Sequence, residues 1–233
     1  MSPESGRDRL PSGRHGLPRE TVQASQRQRI IEAMIDVVAD KGYGDATIAD
    51  VIRIAGVSRK TYYELFDDKD SCFLAAYDQA VGQMLEATTE AYEADADAPW
   101  TERIRAGLGA WLGFIADNPA AARCCIVEVL AAGPKALARR DAAIRQFTHF
   151  LDEGRSESSV QLPGLASLAV VGGINELIYS EILHGATAQL PSRLPDLMYW
   201  TVQPYLGEKR ALEERKKARR QAPKSSRAAA SST

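Results

Sequence analysis

Residues 47–66, TIADVIRIAGVSRKTYYELF, constrain the chain more than any other stretch. Thr47 is suited to cap a helix, and Asp50, three residues on, completes a capping box. Helical phase continues through Val51, Ile52 and Ala55. Gly56 then ends the helix, because glycine takes the left-handed conformation at no steric cost. Ser58 caps a second short helix that runs to about Phe66. The phase turns Val51, Ala55, Val57, Tyr62 and Leu65 inward and leaves Arg59, Lys60, Thr61 and Tyr63 outward. Two cations, a hydroxyl and a phenol on the first exposed turn suit a major groove, where base edges and phosphates both need donors. An ordinary helical hairpin with a solvated face has the same spacing and is the competing reading.

The other 213 residues are rich in alanine, leucine, arginine and glutamate and seldom alternate with period two, which predicts an all-α protein of about nine helices. No apolar run approaches the roughly 18 residues of a membrane span. The arginine-bearing N-terminus has no apolar segment of a secretory signal, so the expected location is cytoplasmic, with no membrane partner. Cys72, Cys124 and Cys125 form no disulfide framework. Adjacent helical residues point about 100° apart, so Cys124 and Cys125 cannot face one metal, and His15, His149 and His184 lack ligand spacing. No cofactor is expected.

Charge is unevenly spread. Residues 1–69 carry 11 basic and 11 acidic side chains, residues 70–206 carry 9 and 17, and residues 207–233 carry 9 and 3. A neutral reading segment must rely on placement, with Asp36, Asp40, Asp45 and Asp50 turned from DNA and Arg27, Arg29, Arg59, Lys60 and Lys69 turned toward it.

Residues 1–24 read as a disordered basic arm, rich in Ser, Gly, Pro and Arg. A first helix opens at Ser25, boxed by Gln28, and carries Ile30, Met34, Val37 and Val38. It completes a three-helix DNA-binding domain over 25–70. A long helix from the acidic start Asp67–Asp70 to about Tyr92 follows without a linker and forms a rigid lever. Further helices span 100–117, 119–132 and about 135–155, in a second helical domain over 71–206 that also serves dimerisation. Helix 165–184 is apolar nearly all round, with Gly172-Gly173 at its middle, and helix 193–206 has one clean stripe. Paired with a second copy, these two build a four-helix dimer interface through Leu168, Gly172, Leu194, Leu197, Met198 and Val202. A fully intramolecular core is the alternative. Residues 207–233 read as a basic, frayed tail.

Gly42, Thr47, Ala55-Gly56-Val57-Ser58, Thr61, Tyr63, Phe66 and Lys69 together resemble the TetR family of one-component transcriptional regulators. The resemblance covers about 30 residues. It implies a homodimer that binds a palindromic double-stranded DNA operator, usually as a repressor, and releases it when a small-molecule effector enters the second domain. It also implies that Thr47 bonds a phosphate, that Tyr63 and Lys69 clamp the backbone, and that Arg59, Lys60 and Thr61 meet base edges or phosphates. With Ser58 and Tyr62 between them, these make up the expected DNA-contacting set. Lys60, Ile52 and Leu65 depart from the family's usual small residues and histidine, which bears on the operator sequence and not on the mode of binding.

In the middle domain the resemblance points to an apolar effector pocket drawn from Trp111, Phe114, Ile115, Phe147, Phe150 and Tyr179, with Glu128 and Asn175 as polar handles. Val127 and Ile174, and the polar His149 and Glu176, lie in the same field. Core packing is the alternative role for each. An enzyme is not expected, because the chain has no phosphate-binding glycine loop, nucleophile elbow or metal-ligand spacing. A ligand-independent architectural DNA binder is the alternative function.

Overall fold

A computed structural model describes residues 18–221, which contain helices and turns and no strand. The first helix, α1 (Arg19–Asp45), begins directly after Pro18, six residues before the expected Ser25 start. Gln28 has no capping role and instead donates to Glu32 at 2.8 Å. Residues 19–24 are therefore helical and not part of a disordered arm; the arm's residues 1–17 lie outside the described residues. α1 buries Ile30, Ile31, Met34, Val37 and Val38, one face at helical spacing. At Gly42 the backbone leaves helical geometry at φ 81°, a conformation open to glycine, and swings Tyr43 into the core.

α2 (Ile48–Ala55) and α3 (Arg59–Leu65) form the expected hairpin across α1. The long α4 (Lys69–Glu93) opens on a full capping box, in which Asp68 accepts from the Ser71 amide and the Ser71 hydroxyl answers the Asp68 amide. α4 then packs along α5 (Trp100–Asp117) in the second domain.

Where one regular helix was expected over 119–132, the chain breaks into α6 (Pro119–Ala122), a π turn (Arg123–Val127) and a 3-10 turn (Glu128–Ala131). The widened π turn buries three consecutive residues, Cys124, Cys125 and Ile126, which a regular helix would spread over some 200° of its surface. α7 (Pro134–Phe147) and α8 (His149–Asp152) follow, and α9 (Ala166–Leu183) leads through a 3-10 turn to α10 (Leu194–Gln221). Contrary to the sequence expectation, α9 is long and apolar enough to cross a membrane by length and composition alone. Its Ile174, Ile178 and Ile182 nevertheless pack into the core, and Glu181 pairs with Arg193 at 2.8 Å.

Two further expectations change. Leu197, Met198 and Val202 are 3%, 0% and 0% exposed within the single chain, so they belong to its own core and cannot form a surface for a second copy. α10 also does not fray at residue 207. It bends at Gly207 (φ 77°) and continues to Gln221, burying Ala211, Glu214 and Ala218 on one face. Residues 222–233 of the expected tail lie outside the described residues.

The anchor of this extension is Glu214, fully buried and bonded to the Arg105 guanidinium of α5 at 2.6 Å, with Lys217 at 2.8 Å and Arg210 at 3.3 Å. Removing one partner of a buried ion pair strands the other. Glu214→Ala is therefore expected to lower unfolding free energy by about 3–5 kcal/mol, read by urea denaturation, whereas an unchanged midpoint would mean the extension does not dock in solution.

Candidate DNA-reading head and effector cavity

Both caps of the reading hairpin form as the residues dictate. Thr47 Oγ1 accepts from the Asp50 amide at 3.2 Å, and Ser58 Oγ accepts from the Thr61 amide at 3.0 Å. Gly56 sits at φ 63°, ψ 39° and closes α2, while its N–H bonds Ile52 O. Arg59, Lys60 and Tyr63 are exposed side by side, with the Arg59 guanidinium 5.7 Å from the Tyr63 ring centre. Lys60 meets only Glu64, at 3.8 Å, and so stays available. Thr61 is half-buried, its hydroxyl 2.9 Å from that of Ser58.

Several expected DNA contacts are engaged inside the protein. Tyr62 is fully buried and donates its hydroxyl to Asp68 O at 3.1 Å, so it cannot reach a groove. Lys69 donates to Tyr43 O at 2.9 Å and Ala46 O at 3.2 Å and lies 4.2 Å over the Tyr43 ring, tying α4 to the end of α1. Arg29 donates to Ala55 O at 3.1 Å, satisfying the C-terminal end of α2, and Arg27 stacks on Phe66 at 5.3 Å. Arg29 thus holds α1 on the hairpin and is half-buried, while Arg27 stays exposed over the Phe66 ring. Asp50, 2.8 Å from Lys41, has its carboxyl pulled down to about 2, first by the Lys41 hydrogen bond and then by Thr47, so it remains charged beside the hairpin.

α4 is held at its other contacts too. The Tyr43 hydroxyl donates to Asp70, and burial plus that carboxylate push the phenol well above its usual range. A separate bridge comes from the second domain: buried Glu128 accepts from the Tyr43 amide at 3.0 Å and pairs with Arg123 at 3.0 Å. A β-carbon at Gly42 would lie 3.3 Å from Glu128 Oε2, so the bend and the carboxylate are fitted to each other. Glu128, expected as a pocket handle, is thus an interdomain contact.

A cavity of about 80 Å³ lies between α4, α5, the π turn, α7 and α9. One water needs roughly 10–15 Å³ on this scale, so several waters, or a short apolar chain, fit without movement. Of the expected pocket residues, Trp111, Phe147, Phe150 and Asn175 line it. Phe114, Ile115 and Tyr179 do not: Ile115 is core, and the other two pack half-buried against the core. His149 and Glu176 face solvent. Sequence reading missed the α4 wall (Tyr77, Val81, Met84, Thr88), Cys125 and Ile126 of the π turn, and Arg140. The signal for α4 was present, since Tyr77, Val81, Met84 and Thr88 recur at helical spacing on the helix identified as a lever.

Cys72 is buried, which lifts its thiol to about 12, and Cys125 is raised well above the usual range by the neighbouring Cys124 and by burial. Among the described residues no group of His, Cys, Asp and Glu is placed to hold a metal.

A capped helical hairpin presenting exposed cations and a phenol, joined by one continuous helix to a walled apolar cavity, defines a helix-turn-helix protein with a second helical domain. Residues 30–76 match the family described as bacterial regulatory proteins, tetR family. This segment of the chain thus carries the DNA-binding domain of the TetR family. It is 28% identical over 116 residues to the HTH-type transcriptional regulator BetI of Klebsiella pneumoniae, an alignment covering 44% of this chain and 60% of that protein. The chain thus spans less than two thirds of that curated relative. Among solved structures, FadR of Bacillus halodurans superposes with a TM-score of 0.66 at 16% identity, covering 74% of this chain and 92% of that one. FadR of Bacillus subtilis, solved in complex with stearoyl-CoA, gives 0.65 at 18%, covering 76% and 97%. At these identities the likeness is one of fold.

The two lysines should separate cleanly. Lys60→Ala is expected to leave stability within about 0.5 kcal/mol and to reduce the salt dependence of DNA binding by about one phosphate. Lys69→Ala loses two charge-assisted bonds at the junction and is expected to cost about 1.5–3 kcal/mol each at most, read by urea denaturation beside a salt titration of DNA affinity.

Proposed function

We propose that the protein is a DNA-binding transcriptional regulator, a repressor that binds a palindromic operator as a homodimer and is released when a small, largely apolar effector enters the cavity. The observation that carries this reading is α4 itself: its first turn is pinned to α1 by Lys69 and Asp70, and two turns later Tyr77 lines the cavity. A ligand that spreads the cavity walls must act on the helix that seats the reading head. The π turn gives a second route, with Cys125 and Ile126 on the cavity and Arg123 and Glu128 on the Gly42–Tyr43 bend. The stearoyl-CoA bound to one structural relative agrees with an apolar effector. A soluble, cytoplasmic location accords with this role.

In this reading dimerisation keeps the α9 side of the expected face, with Gly172, and exchanges the buried Leu197, Met198 and Val202 for exposed neighbours. Leu165, Leu177 and Leu183 of the α9 region are 70%, 51% and 47% exposed, and Trp200 of α10 is 57% exposed. Leu168 and Gly172 are half-buried, and Leu194 packs half-buried against the core. A β-carbon at Gly172 or Gly173 would meet nothing within 4 Å inside the chain, so any close approach there comes from a second copy. Covering such a face is the usual reason for its exposure.

Two experiments test the reading. In a mobility-shift assay with DNA flanking its own gene, the protein is expected to form a sequence-specific, salt-sensitive complex that a cavity ligand dissolves; binding without sequence preference, and without release, would favour an architectural DNA binder. Gly173→Arg is expected to leave the monomer as stable or more stable, since glycine inside a helix costs about 1 kcal/mol, while sedimentation shifts from dimer to monomer and operator affinity falls. A dimer that survives this change would place the interface elsewhere.

A further inference from the structure

The cavity's lining has a cation and no anion. No aspartate or glutamate lines it, yet Arg140 does, together with Trp111, Asn175 and Tyr77. The Arg140 Nε is buried without a hydrogen-bond partner, and the nearest carboxylate is that of its chain neighbour Asp141, 3.9 Å from Nη1. By contrast, the adjacent Arg139 pairs directly with Asp78. The indole N–H of Trp111, a residue 9% exposed, is also buried without a partner. Tyr77 is 3% exposed, and its phenol and the Asn175 amide belong to the same lining. Arg140 and Tyr77 lie close enough that the cation offsets part of the effect of burial on the phenol.

An unpaired donor in an apolar enclosure costs free energy, and an unpaired cation costs more. Here a guanidinium Nε and an indole N–H are unpaired, with a phenol and an amide beside them, in one cavity that no carboxylate lines. The remaining wall is apolar: Val81, Met84, Ile104, Leu108 and Phe147 offer no acceptor side chain. Thr88, the other hydroxyl, donates its hydrogen to Met84 O at 2.7 Å. What is missing is an anion attached to an apolar body.

We propose that the effector is an apolar monocarboxylate, an acyl or arylalkyl acid, whose carboxylate is received by Arg140 while its body lies along α4 and α5. The proposal rests on reading this cavity as the effector site. Arg140 stands on α7 and Tyr77 on α4, so a carboxylate drawn between them bears directly on the helix that reaches the reading head. The small volume sets a preference for slender chains, with longer ones entering as the walls part.

Calorimetric titration of the whole protein with decanoate, and with 1-decanol as its uncharged match, tests this. Wild type is expected to bind the acid about 10- to 100-fold more tightly than the alcohol, the worth of a charge-assisted hydrogen bond. Arg140→Gln should abolish that preference and leave alcohol affinity unchanged, and Arg140→Lys should restore part of it; unfolding midpoints of both variants verify that they fold. Equal binding of acid and alcohol, binding of neither, or an Arg140→Gln protein that still prefers the acid would each overturn the proposal. Sequence-specific DNA binding is scored separately, so loss of the carboxylate preference with operator binding intact rejects the ligand class and leaves the regulator reading standing.

Discussion

The hydrogen bond from the Tyr43 amide to buried Glu128 is the contact on which the two halves of the protein depend. A carboxylate kept inside a protein needs partners for its charge, and Glu128 has two: the Arg123 guanidinium at 3.0 Å and a backbone N–H freed where α1 bends at Gly42. The bend requires glycine, the freed amide requires an acceptor, and the acceptor comes from the domain that holds the cavity. Lys69 and Asp70 grip the same tyrosine from the other side. Tyr43 is therefore the point where α1, α4 and the 3-10 turn after the π turn meet, and a shift of any one changes its surroundings.

That arrangement gives the cavity mechanical meaning. Packed interiors respond to a ligand by moving whole elements, because close-packed side chains leave little room for local give. The elements on either side of this cavity lead to Tyr43, α4 directly and the π turn through the 3-10 turn that follows it. The π turn is well suited to such a role: its widened backbone already departs from the regular ladder, so a change of pitch there costs fewer hydrogen bonds than in an intact helix. Arg140, Trp111, Asn175 and Tyr77 place polar groups in what would otherwise be an apolar void.

Much of the reading head was legible because its information is local. Thr47, Gly56 and Ser58 act within three residues of themselves, so caps and turn followed from residue type, and the outward placement of Arg59, Lys60 and Tyr63 followed from phase. Long-range choices were not legible. Nothing local tells Lys69 to spend its charge on two carbonyls of the α1 end, or Arg29 to bond Ala55 O, instead of facing outward. Tyr62 showed the same ambiguity, with its phase pointing inward and its phenol suggesting a contact. The second domain is helical as its periodicity predicts, with α4 running into it unbroken, yet the clean stripe of Leu197, Met198 and Val202 could serve a partner or the chain's own core. Periodicity identifies an apolar face and says nothing about what covers it. The buried Arg105–Glu214 pair explains why the basic end of α10 docks, and it joins residues 109 apart in sequence, beyond the reach of any local rule.

The central claim, that cavity and reading head communicate through Tyr43, is tested most directly by hydrogen exchange at the Tyr43 amide in the wild type and in Ala143→Leu, a substitution at the buried α7 residue that lines the cavity and would fill it from within. The prediction is that filling the cavity speeds exchange at Tyr43 and across the Gly42 bend while protection in the α2–α3 core is retained. Exchange at Tyr43 that does not differ between the two folded proteins would contradict it.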